Sequence, residues 1–134
     1  MTLTWSDQYS VNIKEIDEQN KMLLDIVNEF DEAVGESKEE ETLEKTIDLS
    51  LHYVNSYFTK QEELMKKYGY PNFDDHKDQH NKIIEELFHI CKKHKEGDKE
   101  VARKIAFFFG YWLNTHVLIE DRKLGEFLNN KGVT

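Results

Sequence analysis

Apolar residues recur at spacings of three, four and seven along four separate stretches of the chain. This is the period of an amphipathic α-helix, whose apolar stripe faces a core. The pattern predicts helices at about 17–34, 38–68, 74–95 and 98–119, with a short C-terminal segment at 121–128. Glycine or proline separates the four helices, and short connections make successive helices antiparallel. The chain is therefore predicted to be all-α, an up-down-up-down four-helix bundle.

The first 15 residues show no sustained helical period. They are nevertheless too apolar for a free tail, because they contain Trp5, Tyr9, Val11 and Ile13. We interpret this stretch as an N-terminal arm that packs along the bundle. The whole chain, 1–134, is then expected to be one domain, which agrees with the commonest domain length.

The charge balance narrows the range of partners. The chain has 18 Lys and Arg residues against 27 Asp and Glu residues, a formal net charge of -9. Nucleic acids and anionic membrane surfaces attract basic proteins, so neither is expected as a partner. The single cysteine, Cys91, excludes an internal disulfide, and neither a signal peptide nor a membrane span is visible. A cytoplasmic location is therefore predicted.

Several polar residues fall on the apolar stripes, where an unpaired polar group costs about 1–3 kcal/mol. His76 and His80 are four residues apart on the third helix, so they share one face and can bind one metal ion together. His116, on the fourth helix, would complete a three-imidazole set suited to iron, zinc, manganese or copper. Asp121 follows His116 by five residues and reaches the same ion only if the helix unwinds or bulges there.

Three more polar residues interrupt the stripes of the first two helices: Asn20, Tyr57 and Gln61. From the residues alone the structural interpretation is favoured for them, since a buried tyrosine with a bonded hydroxyl is ordinary core.

The remaining histidines and a group of aromatic residues receive ordinary structural interpretations. Three histidines are expected to be solvated, namely His52, His89 and His94. Five aromatic residues are expected to belong to the bundle core, namely Phe107, Phe108, Phe109, Tyr111 and Trp112.

A series of short segments runs through the chain in a specific order. They are WSD and YSVNI in the arm, IDEQ at the start of the first helix, then Phe58 with EELM, YGYP, the HKDQH pair, and WLNTH followed by Asp121. Together they resemble the hemerythrin and bacteriohemerythrin family over essentially the whole chain. The resemblance implies a bundle with an N-terminal arm and two non-haem irons between the helices.

The resemblance also implies roles for the polar residues. One iron of the family takes three histidines, which fall on His76, His80 and His116. A carboxylate that bridges both irons falls on Asp121.

The departures from the family concentrate on its second iron. That iron takes two histidines and a bridging glutamate, at the positions that hold Asn20, Tyr57 and Gln61 here. Neutral amides are poor ligands compared with imidazole and carboxylate, and loss of the glutamate removes a negative charge. We expect one iron rather than two, with manganese or zinc as alternatives, and an empty or very weak second site, where the family binds dioxygen.

Three functions are compatible with this pattern. The first is a hemerythrin-like non-haem iron-binding protein with one three-His/Asp site, for which ordinary oxygen carriage is in doubt. Its ligand set resembles that of iron/manganese superoxide dismutases, so action on a reactive oxygen species, and enzyme activity with it, stays open. The second is dioxygen binding or sensing at a dinuclear site completed by Tyr57 and Asn20. The third is a metal-free structural or engineered variant in which Asn20, Tyr57 and Gln61 form a hydrogen-bonded network.

Overall fold

The computed structural model describes residues 3–35, 40–98 and 100–134. Within these ranges it describes all side chains except those of residues 30, 31, 33–35, 40–43, 46, 101, 102, 105 and 106. The predicted first two residues of the second helix, 38 and 39, and residue 99 of the predicted fourth helix lie outside the described residues.

The described ranges are mostly helical and contain no strand. The bundle consists of α1 (Lys14–Gly35), α2 (Glu40–Tyr68), α3 (Phe73–Lys95) and α4 (Val101–Trp112). Around the bundle, α1 packs against α2 and α4, and α3 packs against the same two helices. α4 continues directly into a π-helical segment, Leu113–Asp121, and then into α5, Arg122–Asn130. The predicted all-α four-helix bundle is confirmed.

The turn after α2 determines where α3 begins. Gly69 has a φ of 69°, in the left-handed region that glycine adopts at little cost. The N–H of Tyr70 donates to the carbonyl oxygen of Met65 at 2.9 Å, a bond typical of a helix end that closes on a glycine. This turn lets α3 start within a few residues, so that His76 and His80 lie in its first two turns.

The core consists of two clusters of buried apolar side chains. The larger cluster fills the middle of the bundle and includes Leu23, Val54, Phe58, Phe109, Trp112 and Val117. The smaller cluster joins the arm to the ends of α2 and α5 and includes Val11, Ile13, Ile16, Met65, Leu124 and Leu128.

The N-terminal arm packs against α1 and α5. The backbone of Leu3 exchanges two hydrogen bonds with the side-chain amide of Asn28, both 2.8 Å long. Further along the arm, Val11 is buried and its carbonyl group lies directly over Gly125 of α5. The arm is therefore held at both ends.

An alanine at position 125 is expected to destabilise the protein. A Cβ atom built on Gly125 would lie 2.3 Å from the carbonyl oxygen of Val11, a backbone atom that cannot move without displacing the arm. We expect Gly125→Ala to lower the free energy of unfolding by about 1–3 kcal/mol, measured by urea denaturation.

Gly110→Ala is the matched control within the same helical run. Its Cβ would meet only Leu3 Cδ2, at 4.0 Å. Since alanine is the better helix former, this variant is expected to be neutral or more stable by up to about 1 kcal/mol. Equal stability of Gly125→Ala and the parent protein would contradict the tight seating of the arm.

The prediction that His94 is solvated is wrong, because its side chain is only 9 % exposed. His94 lies four residues after Ile90 and seven after Leu87, so it continues the inward stripe of α3. His52 and His89 are exposed, as predicted.

The prediction of an aromatic core in α4 is wrong for two residues. Phe107 is 74 % exposed and Tyr111 is 65 % exposed. The inward stripe instead passes through Phe109 and Trp112, three residues apart, which places Phe107 and Tyr111 on the outer face. Among the described helices, none combines the length and apolar character needed to cross a lipid bilayer.

Candidate metal centre

Four buried side chains from α3 and the π-helical segment converge on one point. His76, His80, His116 and Asp121 each offer one ligand atom, and these four atoms lie within 4.8 Å of one another. None of the four residues is more than 4 % exposed. The structure therefore brings together all four residues that the sequence suggested as ligands of one ion.

Asp121 reaches this point because the helix that carries it is a π-helix. In an α-helix, residues five apart point in directions about 140° apart. In a π-helix the backbone hydrogen bonds join residues five apart, so that their side chains share one face. Leu113–Asp121 is π-helical, and Asp121 Oδ1 accordingly lies 3.0 Å from His116 Nε2. The bulge that Asp121 needs in order to share an ion with His116 is thus a full π-helical segment.

The spacing of the donor atoms fits a metal ion. Asp121 Oδ1 lies 3.2 Å from His76 Nε2 as well as 3.0 Å from His116 Nε2. Among the described residues, neither oxygen of the Asp121 carboxylate has a partner in hydrogen-bond geometry, and neither does His116 Nε2. Donor atoms bound about 2.1 Å from one ion, at right angles to each other, are about 3.0 Å apart. A shared cation would therefore satisfy buried polar atoms that are otherwise costly.

Electrostatics put two of the four groups, His80 and Asp121, in the protonation states that a ligand needs. Burial, together with the neighbouring His76 and His116, lowers the pKa of His80 to about 4 against the opposing effect of Glu62. Burial alone would raise the pKa of Asp121, but the adjacent imidazoles outweigh it and hold that pKa well below its usual range. At neutral pH the centre thus offers a neutral His80 and an ionised Asp121.

Two polar side chains outside the cluster lie next to its histidines. His80 Nδ1 lies 3.7 Å from Glu62 Oε2, and His116 Nδ1 lies 3.0 Å from Gln79 Oε1. Gln79 is thus an outer partner of the kind that commonly holds the second nitrogen of a metal-binding histidine and aims the first nitrogen at the ion. Glu62 is close enough to His80 for a charge interaction but too far for a hydrogen bond. The sequence analysis missed both residues as partners, because neither lies on an apolar stripe and only the packed helices show what they face.

Aromatic side chains complete the walls of the centre. The ring of Phe58 stacks on His80, with 3.8 Å between ring centroids and 2° between planes. Tyr70 meets the ring of His76 at an edge, with centroids 6.2 Å apart. Phe58 belongs to the larger core cluster and Tyr70 to the smaller one, so the centre lies against both.

The other three polar residues form a hydrogen-bonded chain beside the four donors. The Tyr57 hydroxyl donates to Asn20 Oδ1 at 2.6 Å, and Gln61 Nε2 donates to Tyr57 Oη at 3.1 Å. Gln61 Oε1 lies 2.8 Å from His76 Nε2. Burial, and next the charge of Asp121, raise the pKa of Tyr57 well above its usual value, so its hydroxyl keeps its proton.

Comparison with known proteins agrees with this geometry. Residues 11–128 match the family model described as the hemerythrin HHE cation binding domain. A bacteriohemerythrin of Methylococcus capsulatus is 29 % identical over 128 residues, which are 95 % of this chain and 97 % of that protein. A myohemerythrin of Theromyzon tessulatum is 28 % identical over 89 % of this chain and 88 % of its own.

The fold also agrees with a solved structure. A crystal structure of a hemerythrin mutant superposes with a TM-score of 0.80 at 26 % sequence identity, covering 96 % of this chain and 98 % of that one. The family model covers most of the chain, and the buried His/Asp cluster lies within it. The chain therefore belongs to the hemerythrin family and is a hemerythrin-like metal-binding domain.

Proposed function

We propose that this protein binds one non-haem iron ion, held by His76, His80, His116 and Asp121. The observation that carries the proposal is the convergence of these four buried donors within 4.8 Å. Iron is the proposed metal because the chain belongs to a family that binds non-haem iron. Three imidazoles and a carboxylate also suit manganese or zinc, which are the alternatives.

The hydrogen-bonded chain supports one ion rather than two. Asn20, Tyr57 and Gln61 are buried and already bonded to one another. A second cation among them would have to break these bonds or remove the proton from Tyr57, whose pKa is raised. These three residues are also neutral, so they offset none of the charge of a second ion.

The residues of the centre bind the ion and restrict access to it. When bound, iron supplies a redox-active centre, and dioxygen or a reactive oxygen species is its proposed partner. Phe58 stacks directly on the ring of His80 and covers that face, while the ring of Trp112 runs nearly parallel to that of His116 with 6.2 Å between centroids. Reversible oxygen carriage by an iron pair is not part of the proposal. We propose a cytoplasmic location, in keeping with the free, buried thiol of Cys91.

Metal analysis tests the proposal directly. The purified, metal-free protein is loaded with Fe²⁺ under anaerobic conditions, freed of excess metal, and analysed for iron per chain. We expect about one iron per chain, as the four-donor set implies. A content near two would contradict the single-ion proposal and support the dinuclear alternative. No bound iron, and no bound manganese or zinc, would contradict metal binding altogether.

A further inference from the structure

We infer that Gln61 is a further ligand of the ion, through its side-chain carbonyl oxygen, and that Tyr57 and Asn20 hold it in that orientation. The inference rests on the one-ion centre proposed above. It gives the chain of three polar residues a binding role in place of a merely space-filling one.

The hydrogen bonds of this chain run in one direction. The single hydroxyl proton of Tyr57 is donated to Asn20 Oδ1, so Tyr57 Oη accepts from Gln61 Nε2. With Asn20 in place as the acceptor of the Tyr57 proton, turning the Gln61 amide over would place its carbonyl oxygen against an oxygen that has no proton left to give. Gln61 Oε1 is therefore the atom that faces His76 Nε2.

The position of Gln61 Oε1 suits a ligand atom. It lies 2.8 Å from His76 Nε2, while Asp121 Oδ1 lies 3.2 Å from the same nitrogen. Both distances are close to the spacing of about 3.0 Å expected between neighbouring ligands of one ion. Gln61 and Asp121 thus stand at similar distances from His76, one carried by α2 and the other by the π-helical segment.

Binding of an ion at His76 makes the alternative to ligation unfavourable. The ion takes the place of the proton on His76 Nε2, so this nitrogen can no longer donate to Gln61. The carbonyl oxygen would then lie 2.8 Å from a nitrogen that has no proton to donate, and it would lose its partner unless the cation also binds it. Gln61 is fully buried and cannot turn its carbonyl to solvent.

A fifth donor changes which metal the centre prefers. Three histidines and one aspartate already complete the four-coordinate shell that zinc favours in proteins. A neutral carbonyl oxygen adds an oxygen donor that suits harder ions such as manganese, and a fifth ligand fits ions that accept five or six. The polar chain therefore raises selectivity against zinc.

Cobalt(II) is a suitable probe, because its visible d–d absorption weakens as its coordination number rises. The test compares Co²⁺ affinity, d–d absorption per bound cobalt, and competition with Zn²⁺ in the full-length protein and three variants. Gln61→Met keeps the length of the side chain and removes the oxygen. We expect it to weaken Co²⁺ binding about 10-fold or more, to strengthen the d–d absorption, and to shift the preference toward Zn²⁺.

Two further variants separate ligation from packing. Gln61→Glu keeps an oxygen at the same place, so we expect the weak d–d absorption of the parent protein and tighter binding. Tyr57→Phe releases the amide of Gln61 and is expected to strengthen the absorption, although every ligand residue is still present in the sequence. The matched control is Tyr53→Phe, one turn earlier on α2, whose hydroxyl bonds to the backbone oxygen of Gln19 at 3.1 Å.

The outcomes discriminate between the two proposals. A parent protein that binds one Co²⁺, with the same affinity and absorption in Gln61→Met, would overturn the role of Gln61 and leave the one-ion centre intact. If Gln61→Met does not fold, unchanged absorption in Tyr57→Phe would show that Tyr57 does not hold Gln61 on the ion, and it would overturn the inference in that way. A parent protein that binds no Co²⁺, Fe²⁺ or Zn²⁺ would overturn the centre itself.

Discussion

Combining Asn20→His, Tyr57→His and Gln61→Glu is expected to raise the iron content from one to about two ions per chain. The combination replaces the neutral hydrogen-bonded chain with two imidazoles and a carboxylate beside the existing four donors. Gln61 already lies 2.8 Å from His76, so a glutamate there would stand between the two ions. Iron analysis after anaerobic loading gives the stoichiometry, and an oxygen-dependent visible band would report that the iron pair binds dioxygen.

Two single variants of the parent protein provide the controls. In the parent protein, His76→Ala is expected to abolish iron binding, because it removes a donor at the centre of the cluster. Asn20→His alone is expected to leave the iron content at its parent level, since one imidazole cannot hold a second ion. A folded triple variant that still binds a single iron would mean that helix spacing, and not ligand identity, excludes the second ion.

The metal-free protein is expected to lose about 3 kcal/mol of stability as the pH falls from 6.5 to 4. The cause is His80, whose pKa is about 4 in the folded protein against an ordinary value of 6.5. Below pH 6.5 the unfolded chain binds a proton that the folded chain does not, so the free energy of unfolding falls with pH. The fall ends near pH 4, where the folded protein also protonates His80. Urea denaturation at several pH values in the presence of a chelator measures this.

Two histidine variants test whether His80 causes this loss of stability, and Asp121 contributes in a separate pH range. His80→Gln removes the titrating group and is expected to flatten the profile between pH 6.5 and 4. His52→Gln, at an exposed position, is expected to leave it unchanged. Asp121 contributes in a different range: because its pKa is depressed, its stabilising effect is lost only below the ordinary carboxylate range. A flat profile in the parent protein would show that His80 is solvated or paired in the metal-free state.

Much of the fold was predictable because helical periodicity is a local signal. The spacing of residues such as Leu23, Phe58 and Trp112 indicates the inward faces directly, and glycine marks the end of α2. The i, i+4 pair of His76 and His80 was visible for the same reason. The exposed positions of Phe107 and Tyr111 were not, since a run of aromatic residues does not show which of them face the core.

The parts that could not be predicted depend on geometry between helices. Glu62 and Gln79 act across helix interfaces, and their positions off the apolar stripes give no hint of what they contact. The sequence showed that Asp121 could join the cluster only if the helix departed from α-helical geometry, but it did not show that the segment from Leu113 to Asp121 does so. The sequence itself has no glycine or proline within those nine residues that would signal it.

The π-helical segment also sets how α5 is rotated relative to α4, because the three are continuous in the chain. Each residue of an α-helix turns the chain by about 100°. Winding the same residues as a regular α-helix would therefore rotate everything beyond them by about that angle. Asp121 would swing away from His116, and Gly125 would swing away from the carbonyl of Val11. The carboxylate of the centre and the contact of the arm with Gly125 are therefore set by the same rotational offset. Because residues four apart share a face of an α-helix, deleting one residue between His116 and Asp121 would let a regular α-helix keep both alignments, whereas the full-length segment keeps them only as a π-helix.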